Sequence, residues 1–150
     1  MMANFDSTHP RLKLKWAGKE RKYLPTLSEL IDRLSIVQLK EVKIPEHKEE
    51  YAQEIKDIVH DIQLLLDKSE PITSETIRAI IVLAQMNSHI WENESSFRSK
   101  KEGSYNLELT HSLNGIRNTA KNKIQEMNGG RKDYKIDCLA ADHSSWEPSW

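Results

Sequence analysis

The sequence predicts an all-α protein, an antiparallel four-helix bundle with an N-terminal arm and a C-terminal tail. Three observations carry that expectation. Its five Gly and five Pro in 150 residues fall almost entirely between stretches of helical periodicity, and neither residue favours a helix interior. Within those stretches apolar residues recur at steps of three and four, which gathers them on one helix face. A hydrophobic fraction of 37% beside 30% charge and 7% aromatics is short of the Val, Thr, aromatic and turn residues that strand-rich folds use.

The elements follow in order. Residues 1–25 form a basic arm with six basic and two acidic groups. In it Leu12-Lys-Leu14-Lys-Trp16 alternates, as a short strand or an arm laid over another subunit would. The first helix opens at Thr26-Leu-Ser-Glu29 after Pro25, the spacing at which a Thr and a Glu cap each other's backbone amides, and Pro45 ends it. Leu27, Leu30, Ile31, Leu34 and Val37 share one face. The second helix runs from about Pro45 to Lys68, with Tyr51, Ile55, Ile58, Val59, Ile62 and Leu65 on one side. Pro71, followed by Thr73 or Ser74 as cap, starts a third helix that reaches about Lys101. It is apolar nearly all round from Ile77 to Met86, which predicts a central position. The fourth begins near Asn106 with the single stripe Leu109, Leu113, Ile116, Ala120, Ile124 and Met127, and stops at Asn128 before Gly129-Gly130. Thus 1–150 reads as one helical domain with its core in 26–128 and a tail over 129–150, whose Trp146 and Trp150 need an apolar surface.

Several classes are excluded. The longest apolar run, Ala79 to Ala84, is far short of the roughly 20 residues that span a bilayer. The opening MMANFDSTHP lacks a charged-then-apolar signal pattern, so a cytoplasmic location is expected. Cys138 alone makes no internal disulfide. The net charge of −1 is unevenly spread: residues 45–70 carry eight acidic and three basic groups, and residues 103–130 two acidic and three basic. An anionic ligand therefore stays compatible with a nearly neutral total.

Four groups of residues bear chemistry. On the third helix the stripe of Ile80 and Ala84 continues as Asn87, Trp91, Glu94 and Arg98, placing polar groups on a face that began as core. Such groups are paired, ligand-bound or at a pocket mouth, and an internal Glu94 to Arg98 ion pair is the plain alternative for the last two. On the second helix Glu50, Glu54, Asp57 and Asp61 form an acidic edge. Glu50, Glu54 and Asp57 are the candidate ligands for Mg²⁺, a cation that prefers oxygen donors; a solvated face is the alternative. On the first helix Glu29 and Asp32, one turn apart, are candidates to activate water or add a metal ligand, on a side shared with Ile36 and Leu39. On the fourth, Thr110, Asn114, Arg117 and Lys121 make an edge suited to phosphate, or to interhelical salt bridges. Of the histidines only His89, near Glu92, is placed as a ligand or base; no zinc spacing, catalytic triad order or phosphate-cradling Gly loop is present.

Two resemblances attach to these residues. Glu49-Glu50 with Glu54, and Glu29-xx-Asp32, loosely resemble the EExxE and ExxD stretches with which all-helical MazG-type nucleotide pyrophosphohydrolases bind Mg²⁺, although Glu54 falls one residue late and the second pair precedes the first. Thr26 to Lys40, with Leu113-Asn-Gly-Ile-Arg-Asn118, is similar to an uncharacterised helical family of bacteria and phages, in which a GELIDKLSILNLKIWH.ED helix precedes an LN..RN helix. Here Ile90-Trp-Glu-Asn-Glu94 resembles the IWH.ED part but stands on the third helix, about fifty residues from its expected place. That resemblance implies Glu29, Asp32, Lys40, Asn114, Arg117 and Asn118 as family-like polar positions.

The expectation is a pocket for a phosphorylated small molecule. It is read either as a Mg²⁺-dependent nucleotide pyrophosphohydrolase or as a non-catalytic protein that binds a nucleotide or signalling ligand. The further alternative is a homo-oligomeric interaction module whose basic arm contacts nucleic acid or an acidic partner.

Overall fold

The computed structural model describes residues 20–98, 107–129 and 148–150. Four helices follow one another: α1 (Leu27–Lys43), α2 (Lys48–Leu66), α3 (Ser74–Arg98) and α4 (Leu107–Asn128), with a 3₁₀ turn at Pro45–His47 between the first two. No strand occurs among the described residues. The alternating segment Leu12 to Trp16, nearly all of the basic arm, and Trp146 lie outside them.

Local chemistry sets the helix ends. The Thr26 hydroxyl accepts from the Glu29 amide at 3.3 Å while the Glu29 carboxylate accepts from the Thr26 amide at 3.1 Å, so two otherwise orphaned donors are satisfied reciprocally. Thr73 caps α3 without that reciprocity, its hydroxyl accepting from the Thr76 amide at 3.2 Å. Gly129 ends α4 with φ +84°, a left-handed conformation that residues with a Cβ rarely adopt.

Side-chain pairs fix the directions of the helices. Lys40 meets Tyr51 and Arg33 meets Glu54, so α1 and α2 are antiparallel. Thr76 meets Asn128 and Asn93 meets Thr110, so α3 and α4 are antiparallel as well. Asp32 reaches Asn87 and Lys43 reaches Glu92, which sets α1 and α3 in the same direction. The result is the up-down-up-down bundle that short connections favour.

The main core lies between α3 and α4, where Ala79, Val82 and Leu83 pack on Ile116, Ala120 and Ile124. Ala79 and Ala120 are fully buried, and with so little side chain they let the two helices approach closely. Ile31 of α1 and Met127 of α4 extend this cluster, and so does Trp150. The apolar surface that the tail needs is thus provided, for Trp150, by its own chain. Lys123 and Arg78 lie over its ring at 4.9 and 5.8 Å.

Two sequence expectations about packing are corrected. The central helix is α1, which packs against α2, α3 and α4, whereas α3 leaves Ile77 and Ile81 each 52% exposed. An all-round apolar sequence permits a central position but does not impose one, because burial depends on which neighbours the connections bring. Val59, assigned to the buried face of α2, is 48% exposed; Ile58 is the buried residue there.

Candidate functional site

Because α1 is covered on several sides, a side chain away from its main apolar face can still be enclosed. Asp32 is such a residue: it is 8% exposed, although it is a carboxylate in mid-helix. Burying an unpaired charge costs several kcal/mol, roughly, so its partners decide whether the helix stays docked. Asn87 of α3 donates from Nδ2 to Asp32 Oδ1 at 2.7 Å and to Ser35 Oγ at 2.6 Å. The Ser35 hydroxyl in turn donates to the Asp32 carbonyl at 2.9 Å, so one amide group ties both α1 residues to α3.

The other side of Asp32 faces α4. Lys121 Nζ stands 3.6 Å from Oδ2 and Arg117 Nε 3.9 Å from Oδ1. A charge-assisted hydrogen bond is about 2.7–2.9 Å long, so both cations attract the carboxylate without closing on it. Arg117 Nε is itself buried and has no hydrogen-bond partner. The side chains of Arg117 and Lys121 are 26% and 17% exposed, which places them at a partly open edge of the seam. One turn before Asp32, Ser28 is 1% exposed and its hydroxyl has no partner. Two cations and one anion leave a net positive charge among partly buried side chains, where Coulomb interactions exceed those in bulk water.

Four of the residues singled out in the sequence therefore come together: Asp32, Asn87, Arg117 and Lys121. The others do not join them. Glu29 caps α1 with its carboxylate on the Thr26 amide. Glu94 and Arg98 form an exposed i,i+4 pair at 3.8 Å, the plain alternative stated for them. Asn114, on α4, donates from Nδ2 to the Thr110 carbonyl one turn back. Trp91 is half-buried on α3.

The acidic edge of α2 is dispersed. Glu54 accepts from Arg33 Nε and Nη2 at 2.9 and 2.6 Å, Asp57 accepts from Gln53, and Glu50 lies 3.8 Å from His47. Among the described residues no group of three His, Cys, Asp or Glu side chains is placed to hold a metal ion. Glu50, Glu54 and Asp57 each face a different partner, His47, Arg33 and Gln53 in turn. His89 is exposed, and Glu92 beside it pairs with Lys43 at 3.1 Å.

Asn93 is a polar core residue that the sequence reading missed. It is 6% exposed and donates to the Thr110 hydroxyl across α3 and α4. The signal was available: Ala79, Leu83, Met86, Ile90 and Asn93 follow one another at steps of four, three, four and three.

Comparison with known proteins finds no matching family, no matching curated protein and no matching solved structure. Among the described residues no helix is long and apolar enough to cross a membrane.

Proposed function

We propose that the protein binds a phosphorylated small molecule without hydrolysing it, with Arg117 and Lys121 holding the phosphate at the edge of the seam between α1 and α4. The observation that carries this reading is the unfilled demand of the two cations. Both lean on a single carboxylate at distances too long for charge-assisted hydrogen bonds, and the buried Arg117 Nε has no acceptor. A phosphate offers several acceptor oxygens, and a guanidinium can bind two of them at once while an ammonium adds a point charge. Asn87 and Ser35 brace α1 against α3 and so fix the wall that faces the cations.

The pyrophosphohydrolase alternative is less supported. Metal-dependent cleavage needs a cation that neutralises phosphate oxygens and activates water, and the acidic residues expected to hold it are engaged elsewhere. Isothermal titration against nucleoside monophosphates, diphosphates, triphosphates and sugar phosphates separates the readings, with released phosphate and pyrophosphate measured in parallel with and without Mg²⁺. Binding that persists without metal, with no product, is expected. Product that appears only with Mg²⁺ and falls in Glu54→Gln favours the enzyme; absence of binding across the panel contradicts both.

A further inference from the structure

From Ile77 to Met86 helix α3 is apolar nearly all round, and a helix of that composition is normally enclosed by neighbours. Here one side of it stays open. Among the described residues its main neighbours are α4 and α1. The open side carries Ile77 and Ile81, each 52% exposed, then the exposed Ala84 and the half-buried Ser88, at steps of four, three and four. We propose that a second copy of this chain covers this stripe, with α3 packed antiparallel on α3 about a two-fold axis beside Gln85.

The charges along the rim select both the partner and its direction. Arg78, Gln85 and Glu92 are exposed and follow one another at steps of seven, so they form a row beside the stripe. Gln85 stands midway between the two opposite charges. A two-fold axis there sets Arg78 of one copy against Glu92 of the other, and by symmetry does so twice. Parallel packing instead sets Arg78 against Arg78 and Glu92 against Glu92, which repels. The two Gln85 amides meet at the axis, where each offers both a donor and an acceptor. Ala84 and Ser88 are small, so the backbones approach closely at the crossing while Ile77 and Ile81 pack on either side of it.

Both charged groups can take a further partner. The Arg78 guanidinium gives one N–H to Ser149 and lies over Trp150, which leaves other donors. Glu92 accepts from Lys43 through Oε1 alone, and its side chain is 62% exposed. Two helix faces of this length bury less than a standard interface, so the dimer is a weak one.

Sedimentation equilibrium of the full chain over roughly 1–300 μM, a range that brackets weak interfaces, is the test. The mass is expected to rise from 17.4 kDa toward twice that value. Ile77→Glu and Ile81→Glu change positions that are exposed in the single chain, so they should keep the helical circular dichroism spectrum and stay monomeric. Arg78→Glu or Glu92→Arg alone turns two attractions across the axis into repulsions, and the dissociation constant should rise about tenfold. Combining the two reversals restores opposite pairing and should return the constant to within roughly threefold of the unmodified chain. A mass that stays at 17.4 kDa throughout overturns the second copy as the occupant. A dimer that persists in Ile81→Glu, or a double reversal that recovers nothing lost in the single ones, overturns it as well.

Discussion

Asn87 Nδ2 lies 2.7 Å from Asp32 Oδ1, a hydrogen bond between two buried side chains 55 positions apart in the chain. It joins the central helix α1 to α3, and it does so on the wall that faces Arg117 and Lys121. Stability and the proposed binding site are therefore connected through one amide.

Replacing that amide should be costly. Asn87→Ala removes the donor to both Asp32 and Ser35 and leaves a buried carboxylate short of a partner, so a loss of roughly 2–3 kcal/mol is expected in urea unfolding. Asn87→Asp should cost more at neutral pH, because it places two carboxylates at hydrogen-bonding distance, and lowering the pH should recover part of the loss. Equal stability of Asn87→Ala and the unmodified chain would remove this bond from the account.

The attraction between Asp32 and Lys121 is measurable as a coupling. A double-mutant cycle over Asp32→Asn and Lys121→Met should return about 0.5–3 kcal/mol, the range of residues that share a network. Arg33 and Glu54, an exposed pair despite its short contact, should return only about 0.2–1 kcal/mol. A larger coupling at the exposed pair would contradict the burial argument.

Glu29 separates capping from chemistry. Glu29→Gln keeps an acceptor for the Thr26 amide and should leave stability and ligand binding nearly unchanged, whereas Thr26→Ala should cost about 1 kcal/mol. Loss of ligand binding in Glu29→Gln at unchanged stability would return this residue to the site.

Much of the architecture was legible in the sequence because it is encoded locally. Thr26 with Glu29 and Gly129 mark helix ends through interactions reaching only a few residues, and the Ala120, Ile124 stripe marks a face. The location of α1 was not legible in this way. Ile77 and Ile81 look like core residues by composition, and only the packing of α1 between α2 and the α3–α4 pair leaves them exposed. The site was half legible for the same reason. Polar groups that continue an apolar stripe pointed to Asn87, and a basic edge pointed to Arg117 and Lys121, but their meeting at Asp32 depends on adjacency between helices. Glu54 illustrates the converse, since its partner Arg33 lies on a different helix and removes it from the acidic edge.

Trp150 should be a structural residue. Its ring packs on the α3–α4 core under Lys123 and Arg78, and Arg78 Nη2 also donates to the Ser149 hydroxyl at 3.2 Å. Trp150→Ala should lower stability by roughly 1–3 kcal/mol through lost apolar burial and cation–π attraction, and should leave phosphate binding unaltered. Unchanged stability would show that the contact contributes nothing.

The central claim is that Arg117 meets the anion, and the resonance of its buried Nε–H reports this directly. In ¹⁵N-labelled protein, with the signal assigned by its disappearance in Arg117→Lys, titration with inorganic phosphate at constant ionic strength should move that resonance saturably. Lys121→Met should weaken the response. A resonance that stays fixed while phosphate reaches saturating effects elsewhere, or that never moves at any concentration, contradicts the assignment of the seam between α1 and α4 as the binding site.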